Sequence, residues 1–394
     1  INVTSFYRLS SSKNTAGLLM AGAQDNASFL YDGTDWNTVI GGDGMDNFID
    51  PSSNNNIYGS SQYGNFDWST DGGVSFGWMD PNVNSENAEW TTPIIGDLNN
   101  PGRLYCGFTN VTKSTDAGAS WSAISSFPVS FSYDNEISSL AVANSDPNVV
   151  YVAKRVRYEF SVPGSVYHTS NGGTSWNDIT IGLPDSLYYT SIEISETDKN
   201  TAYVSMAGFS TGNKVFMTSN AGSSWQNISY NLPNIPVNCI KYIPGGNAIM
   251  AASDIGLYTL ANGATSWVNQ SNGLPNVILS DIEFNIPNNK IYLSTFGRGI
   301  WATDYDLFTG VNQHAAANAL LNLYPSVNSG SFTLATGTST QVNVEVINTN
   351  GQVVYSDVLT GKDSYGFDLR LAPGLYFAKI KGDKVNGIKR FIVQ

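Results

Sequence analysis

The chain has 394 residues, of which 13% are charged and 12% are aromatic, and it contains 38 glycines. Its 19 Lys and Arg against 32 Asp and Glu give a net charge of −13, which argues against nucleic acid or an anionic membrane surface as a partner. Two cysteines, Cys106 and Cys239, are too few for a disulfide scaffold or a cysteine-rich zinc site. The chain begins at Ile1 without Met or a signal peptide, so we expect a processed or partial product.

A turn motif of the form Ser/Thr-x-Asp/Asn-Gly/Ala-Gly-x-Ser-aromatic recurs through the first three hundred residues. The side chain of its Asp or Asn can accept backbone N–H groups of the same turn, and the glycine that follows tolerates positive φ. We therefore expect a structural turn rather than a reactive site. The Asp or Asn positions are Asp71, Asp116, Asn171, Asn220 and, in a degraded copy, Asn262, with a shortened copy at Asp32.

The segments between these turns alternate apolar and polar residues with a period of two, as in 191–195, 202–206 and 214–218, which predicts β-strands. Each repeat then makes a four-stranded antiparallel sheet without a core of its own, and such sheets bury their faces by stacking radially as propeller blades. Seven inner strands predict an all-β, seven-bladed β-propeller over residues 1–308. These strands are expected to begin near Val3, Asn47, Pro93, Ser138, Thr190, Val237 and Leu279.

The seventh blade shows three strand candidates, at residues 280–284, 290–295 and 299–304. An unpaired edge strand is a template for association with another chain. We expect the fourth strand to come from sequence upstream of Ile1, as in many propellers, with an unlatched ring as the alternative.

These repeats are similar to the Asp-box (BNR) repeats of sortilin-type, sialidase and xyloglucanase propellers. Residues 253–258, Trp267, 273–275 and 295–301 resemble the closing blades of bacterial sortilin-like proteins, and so do 22–26 followed by 41–44. The resemblance covers about residues 1–308. It implies the propeller fold rather than an activity, because the Asp box is a turn at the blade periphery.

The character of the sequence changes after Asp306. Residues 309–319 are mostly small, which predicts a linker. Residues 320–394 carry 7 Lys and Arg against 5 Asp and Glu, so the acidic charge lies in the first part of the chain. Short strand candidates separated by turns predict a small Ig-like β-sandwich here. The candidates are 322–324, 331–335, 342–347, 353–358, 366–371, 375–380 and 388–393.

This tail closely resembles the type A C-terminal sorting domain of proteins that the bacterial type IX secretion system exports. The matching blocks are 323–325, 330–332, 344–355, 368–371, 374–376 and 387–393. The family usually reads Tyr-Pro-Asn-Pro in the first block, whereas Ser326 and Val327 follow the Tyr-Pro pair here. The resemblance implies sorting-signal elements at Tyr324, Pro325, Gly351, Gly374, Tyr376, Lys389 and Arg390.

The same resemblance implies export through the periplasm and outer membrane to the cell surface or medium. It implies the type IX translocon and an outer-membrane carrier and sortase as partners, and usually removal of the domain on anchoring or release. Because the identifying residues are spread along the domain, we expect the carrier to read a folded shape. That shape would include an edge strand at the very C-terminus.

A sialidase activity is disfavoured by the arginines of the propeller. A sialidase needs several arginines that converge on the carboxylate of the substrate. The propeller contains Arg8, Arg103, Arg155, Arg157 and Arg298. Arg103 lies in a Pro-Gly turn, and Arg155 and Arg157 share one strand, so these arginines are not placed to converge on one carboxylate.

A glycoside hydrolase of the xyloglucanase type needs two facing carboxylates. Its candidates are Asp25, Asp43, Asp46 and Asp254, near the expected blade openings. In the alternative, which we favour, Asp25 and Asp43 cap turns beside their Gly and Asn neighbours, and Asp254 ends a hairpin.

A calcium site is a further candidate, because Asp43, Asp46 and Asp50 offer carboxylate oxygens within a short segment. They lack the dense alternation of a dedicated calcium loop, so a solvated turn is favoured and no other cofactor is expected. Arg298, between two glycines, either lines the central channel or ties the last blade to its neighbours.

The aromatic residues of the second repeat either form a sugar-stacking patch or, as we favour, belong to the blade core. They are Tyr63, Phe66, Trp68, Phe76 and Trp78. His168 and His314 have no partner at a metal-ligand spacing and are expected at the surface, whereas both cysteines are expected in the core.

The sequence therefore predicts a cargo of the type IX system whose propeller is a binding or adhesion module for an extracellular glycan or protein. The alternative is a secreted glycoside hydrolase of the Asp-box propeller type. Two acidic residues that converge on one channel mouth would favour the hydrolase.

Overall fold

The computed structural model describes residues 3–128, 135–305, 321–336, 341–349, 351–382 and 386–394. The chain divides into two compact units, residues 1–310 and 311–394. Both units are built from β-strands, and the helical segments described are the single turns Gln62–Gly64, Tyr158–Phe160 and Ile286–Asn288. None of the helices described is long and apolar enough to cross a membrane. The expected linker, residues 309–319, lies outside the described residues.

The first unit contains seven antiparallel sheets, each of which is a meander of consecutive strands. Blade 1 contains β1 (Phe6–Ser11), β2 (Leu18–Ala23), β3 (Ala27–Asp32) and β4 (Trp36–Ile40), and blade 2 contains β5 (Asn47–Ile49), β6 (Ile57–Ser61), β7 (Asn65–Ser69) and β8 (Gly77–Met79). Blade 3 contains β9 (Ile94–Gly96), β10 (Leu104–Gly107), β11 (Val111–Ser114) and β12 (Ser122–Ala123), and blade 4 contains β13 (Ile137–Val142), β14 (Val150–Lys154), β15 (Ser165–Thr169) and β16 (Asn177–Asp178).

The remaining blades follow the same order along the chain. Blade 5 contains β17 (Tyr189–Ile194), β18 (Ala202–Met206), β19 (Val215–Thr218) and β20 (Gln226–Asn227), and blade 6 contains β21 (Val237–Tyr242), β22 (Ala248–Ser253), β23 (Gly256–Ala261) and β24 (Val268–Asn269). Blade 7 contains β25 (Leu279–Asn285), β26 (Lys290–Thr295) and β27 (Ile300–Asp304). Its sheet has three strands within the described part of the chain, and β27 lies at the edge.

The seven first strands form a closed ring, because each packs against the first strand of the next blade and β25 packs against β1. The Leu9 amide of β1 donates to Asp281 Oδ2 of β25 at 3.1 Å, and Asn285 Nδ2 donates to the carbonyl of Ser12 at 2.8 Å. The Gly297 and Gly299 amides of blade 7 donate to the carbonyl of Thr4. These contacts confirm the seven-bladed propeller.

Blade-to-blade packing makes the core of this unit. One buried cluster combines Tyr151 and Val166 of blade 4 with Val204 and Phe216 of blade 5, and the other blade pairs are filled in the same way. A sheet whose two faces are covered by neighbours needs apolar residues on both, which is why strands such as β14 and β18 are buried throughout.

The Asp-box turns of blades 2 to 5 share one hydrogen-bond pattern. Asp71 Oδ1 accepts the Ser75 amide at 3.0 Å and the Ser69 hydroxyl at 2.7 Å, and the amide oxygen of Asn171 takes the same places in blade 4. Asn262, in the degraded copy, bonds instead to Asn247. The recurring side chain therefore closes a turn between the third and fourth strands.

In blades 4, 5 and 6 the tryptophan that follows the box ties its blade to the preceding one, whereas Trp121 of blade 3 donates to the Gly118 carbonyl of its own turn. Trp225 Nε1 of blade 5 donates to the Ile179 carbonyl, beyond the last strand of blade 4, at 2.7 Å. Trp267 Nε1 of blade 6 donates to the Ile228 carbonyl at 2.8 Å. The repeat thus encodes the contact between blades as well as the turn.

The second unit is a sandwich of two sheets. One sheet has the order β28 (Asn322–Tyr324), β30 (Ser331–Ala335) and β33 (Ser364–Asp368). The other has the order β29 (Val327–Asn328), β35 (Asn386–Val393), β34 (Gly374–Gly382), β31 (Val342–Asn348) and β32 (Val353–Leu359). Its core includes Phe332, Val344, Ala378 and Phe391. This is the small β-sandwich that the sequence predicts.

The C-terminal strand differs from expectation, because the last residues of β35 are paired on both sides. The strand pairs with β34 along its whole length, and Ile392 and Val393 pair in parallel with Val327 and Asn328 of β29. The short β29 follows the Tyr324-Pro325 block and was not among the expected strands. The prediction of an edge at the very C-terminus was therefore wrong.

Candidate functional site

One face of the propeller carries the candidate binding site. All first strands run in the same direction around a propeller ring, so the turns between second and third strands lie on one face together with the connections that lead into each blade. We call this the upper face. Its second-to-third-strand turns are residues 24–26, 62–64, 108–110, 155–164, 207–214, 254–255 and 296–299.

Four blades place an exposed apolar or aromatic side chain at this turn. They are Tyr63 in blade 2, Tyr158 in blade 4, Phe209 in blade 5 and Ile255 in blade 6. The ring of Tyr63 meets that of Trp90 edge to face, with centroids 5.0 Å apart. Large apolar side chains that recur on one face are typical of an interaction surface.

The centre of the upper face is held by a cluster of Glu89, Arg155 and Tyr188. Arg155 Nη1 pairs with Glu89 Oε2 at 2.7 Å, and the Tyr188 hydroxyl donates to Glu89 Oε1 at 2.9 Å. Burial and the Glu89 carboxylate raise the pKa of Tyr188. Burial by itself would lower the pKa of Arg155, but the Glu89 carboxylate outweighs it and raises that pKa.

A second charged group lies beside the first. Arg157 pairs with Glu136 and with Glu159, the latter at 2.8 Å, and its guanidinium carbon lies 4.9 Å from the centre of the Phe160 ring. The upper face therefore presents aromatic side chains around fixed ion pairs.

A cavity of about 380 Å³ runs along the first strands. Near its upper end, Asp46 accepts the amide of Ile94, and Asp281 accepts that of Leu9, so both carboxylates join neighbouring blades. Burial raises the pKa of Asp46 to about 6, and Arg8 opposes the rise. The same carboxylates, by their charge, raise the pKa of Arg8 against the effect of burial.

Further along the cavity, two lysines surround Glu283. Lys13 Nζ lies 2.9 Å from Glu283 Oε2, and Lys241 Nζ lies 3.4 Å from Oε1. These charges overcome burial and lower the pKa of Glu283. Burial raises the pKa of the neighbouring Glu193 to about 7, although Lys241 opposes it, and Glu193 accepts the Tyr242 amide at 3.1 Å.

The four hydrolase candidates do not form one group, and Asp46 lies at the upper end of the cavity. Asp43 accepts the backbone amide of Asp25 and a side-chain N–H of Gln62, so the Asp43 carboxylate closes the first upper turn. Asp254 lies in the upper turn of blade 6, where Asn238 Nδ2 donates to it at 2.9 Å. The structure thus brings Asp25 and Asp43 together through turn-closing hydrogen bonds.

The calcium candidates are separated by β5. Asp43 and Asp46 precede this strand, whereas Asp50 follows it and accepts the amide and hydroxyl of Ser52. A strand spans about 3.3 Å per residue, so Asp50 lies beyond the reach of a shared ion. The described ranges contain no group of three or more candidate metal ligands.

Other sequence candidates lie apart from one another. Phe66 is fully buried, whereas Tyr63 and Trp78 are exposed, so the aromatic residues of blade 2 form no single patch. The Arg298 side chain is exposed, and the flanking glycine amides rather than its guanidinium tie blade 7 to the chain start.

His168 is buried rather than at the surface. Its ring lies 4.5 Å from that of Tyr151, and burial lowers its pKa. It lies on β15, where Val166, Tyr167 and Thr169 are also buried, so its position within a blade strand was the signal for its burial. Cys106 and Cys239 are buried and free, which confirms their expected place in the core. His314 lies outside the described residues.

The sorting-signal candidates divide between surface and core. Tyr324 is exposed and Gly351 occupies a turn with φ of 78°. Tyr376 is buried, and its hydroxyl donates to the Ala372 carbonyl at 2.9 Å. Gly374 and Arg390 are exposed and lie on the neighbouring strands β34 and β35, and Lys389 is half-buried. Pro325 is exposed, like Tyr324 beside it.

Comparison with known proteins identifies the second unit. Residues 322–394 match the family described as the secretion system C-terminal sorting domain. No curated protein sequence matches the chain. This unit is therefore a sorting domain, and the chain is a cargo that the type IX system exports through the outer membrane to the cell surface or medium.

Solved structures similar to the chain are propellers. PorZ, an essential surface component of the type IX system of Porphyromonas gingivalis, has 15% identity and a TM-score of 0.57, with 99% of this chain and 59% of PorZ covered. A GH74 enzyme of Niastella koreensis has 16% identity and a TM-score of 0.60, over 99% of this chain and 73% of the enzyme. YCF48 bound to D1 peptide has 14% identity and a TM-score of 0.54, over 79% of this chain and 94% of YCF48.

The chain spans 59% of the length of PorZ and 62% of that of an ancestral GH74 enzyme. At these identities, the likeness shows a shared fold, and each neighbour's activity belongs to that neighbour.

Proposed function

We propose that this type IX cargo carries its propeller as a binding or adhesion module, with the upper face as the binding surface. The observation that carries the proposal is the recurrence of an exposed apolar side chain at the same turn of blades 2, 4, 5 and 6. The opposite face also exposes apolar side chains, at Val74, Leu98 and Ile286, but these are aliphatic and are divided between two kinds of turn. The upper-face set recurs at one turn and includes three aromatic rings, which is typical of an interaction surface.

The charges of the upper face favour binding over turnover. Glu89 is already paired with Arg155 and Tyr188, and Arg157 is paired with two glutamates. A general acid and base must instead be directed at the substrate. These ion pairs hold the side chains of the upper face in place and give a ligand a fixed surface to pack against.

The ligand we propose is an extracellular glycan or protein segment. Exposed tyrosine and phenylalanine rings stack on sugar faces, and they anchor peptides equally well. One neighbour of the same fold is described as bound to a peptide, and others are GH74 enzymes. The hydrolase remains the second candidate, because Asp46 and Asp281 both lie near the upper end of the cavity beside Arg8. Asp25 and Asp43 also lie together at an upper turn.

The export partners we propose are the type IX translocon, an outer-membrane carrier, and a sortase that removes the sorting domain. Intact-mass measurement of the exported protein tests whether the domain is removed. Loss of about residues 309–394 supports processing, and the full mass contradicts it.

The binding surface is tested with two aromatic residues of blade 2. Tyr63 is 60% exposed on the upper face, and Trp78 is 71% exposed on the outermost strand. Calorimetry against soluble polysaccharides, including xyloglucan, and a peptide library should identify a ligand. Tyr63→Ala should weaken its binding about tenfold, and Trp78→Ala should leave it unchanged.

The same panel separates binding from hydrolysis. Product formation that is abolished by Asp25→Asn, Asp43→Asn or Asp254→Asn, with the fold intact, would establish the hydrolase. Equal effects of Tyr63→Ala and Trp78→Ala on binding would remove the upper face from consideration.

A further inference from the structure

The five-stranded sheet of the sorting domain has one face in the core and one face in solvent. Along β34, Tyr376, Ala378 and Ile380 are buried, and the alternate positions point away from the core. The same alternation holds in β31, where Val342, Val344 and Val346 are buried. We call the solvent side of this sheet the outer face.

The outer face is divided into an apolar half and a polar half. Register places Val327, Ile392 and Leu375 side by side on three strands. The next row places Arg390, Phe377, Ile347 and Val353 side by side on four strands. Six apolar side chains thus lie in two adjacent rows and form the apolar half, and none belongs to the buried core of the domain.

The polar half begins in the next row. Lys379 lies beside Glu345, with Nζ and Oε2 3.5 Å apart, and the following row contains Lys381, Asn343 and Val358. Arg390, Lys379 and Lys381 against the single Glu345 leave a surplus of positive charge along the edge of the apolar half.

We propose that the apolar half is the surface by which the sorting domain docks on the export apparatus, and that the occupant is a protein surface with an apolar centre and an acidic edge. A soluble domain rarely exposes contiguous apolar side chains unless a partner covers them. The adjacent cations require carboxylates opposite them for favourable pairing. Export of this chain requires that the domain contact the apparatus, and the apolar half meets that need.

The edge strand β32 supplies a matched pair of test residues. Val353 and Val358 are both valines of this strand and are 53% and 55% exposed. Each pairs with an outer-face residue, and a register shift between Val346 and Ile347 is what brings Val353 opposite Ile347. Val353 lies beside Ile347 in the apolar half, whereas Val358 lies beside Asn343 in the polar half. Any general effect of a polar residue on β32 should be the same at both positions.

The test uses the full chain in a bacterium with a type IX system. Val353→Ser should lower the extracellular amount about tenfold, with the protein retained in the periplasm, and Val358→Ser should leave export unchanged. Leu375→Ser, on a different strand, should repeat the effect of Val353→Ser. Thermal unfolding of the purified variants should match that of the parent chain.

Two results overturn the proposal. The first is equal export of the Val353→Ser, Leu375→Ser and Val358→Ser variants. The second comes from alkylation of Val353→Cys and Val358→Cys in the purified chain, where both native cysteines are buried. Equal labelling is expected; selective protection of Val353→Cys would show that the propeller or a second copy covers the apolar half.

Discussion

The Tyr188 hydroxyl donates to Glu89 Oε1 at 2.9 Å, although the two residues are 99 positions apart in the sequence. Glu89 belongs to the connection that leads into blade 3, and Tyr188 directly precedes blade 5. Arg155 of the intervening blade pairs with the same carboxylate. One buried carboxylate therefore joins three consecutive blades at the upper face.

Removing this carboxylate should destabilise the propeller. Glu89→Ala leaves Arg155 and the Tyr188 hydroxyl without their partner, and we expect a loss of about 2 kcal/mol in the free energy of unfolding. Denaturant unfolding followed by tryptophan fluorescence measures it. Asp304→Ala serves as the control, because it removes the acid of an exposed pair with Lys290 and should have no measurable effect. An equal loss of unfolding free energy in Glu89→Ala and Asp304→Ala would contradict the role of Glu89 in joining the blades.

The cavity should make stability depend on pH through Glu193. Its pKa is about 7 in the folded chain against 4.5 ordinarily, so the folded state binds more protons between these values. Stability should therefore fall as pH rises from 4.5 to 7 and then level off. Glu193→Gln should flatten this slope and add up to about 3 kcal/mol at pH 8, as the pKa shift implies.

The neighbouring Glu283 should change stability with pH in the direction opposite to Glu193. Lys13 and Lys241 lower its pKa, so its stabilisation is present above the unfolded pKa and is lost as pH falls through the folded one. Glu283→Gln should thus destabilise the propeller at neutral pH. Chemical unfolding of both variants at several pH values measures the effects, and a shift of the same sign in both would contradict this account.

Local pattern was sufficient to predict the ring. The inner strands begin at Phe6, Asn47, Ile94, Ile137, Tyr189, Val237 and Leu279, close to the expected positions. Alternation and turn chemistry act within a few residues, and so they are legible in the sequence. The Glu89 cluster could not be predicted from the sequence, because its members are distant in sequence and meet only when three blades are in place.

The Asp-box turns supply their own substitution test. Asn171 closes the turn of blade 4 with the pattern that Asp71 uses in blade 2. Asp71→Asn should therefore leave the melting temperature nearly unchanged at neutral pH, and Asp71→Ala should lower it. Hydrogen bonds from Ser75 and Ser69 lower the pKa of Asp71 to about 2, so its contribution should disappear only in strong acid. Equal melting temperatures for the two variants would contradict the role of the turn.

A deletion at the C-terminus should disrupt the core of the sorting domain. Phe391 and Val393 are buried in the core of the sorting domain. Removing residues 389–394 should therefore unfold that domain, since losing one buried Phe side chain costs about 3–5 kcal/mol. Limited proteolysis should show a resistant propeller and a digested tail, with the protein retained in the periplasm. A protease-resistant tail that is still not exported would instead make these residues a surface signal.

The sorting domain should act independently of the propeller. Residues 311–394 form a compact unit with a core of their own, in which Phe332 and Phe391 lie 4.6 Å apart between ring centres. Fusing residues 309–394 to an unrelated periplasmic protein should therefore direct that protein to the surface or medium. The same fusion with Val353→Ser should remain in the periplasm, because the apolar half of the outer face is part of the transferred unit. If the parent fusion also remains there while the native chain is exported, the propeller contributes to the signal.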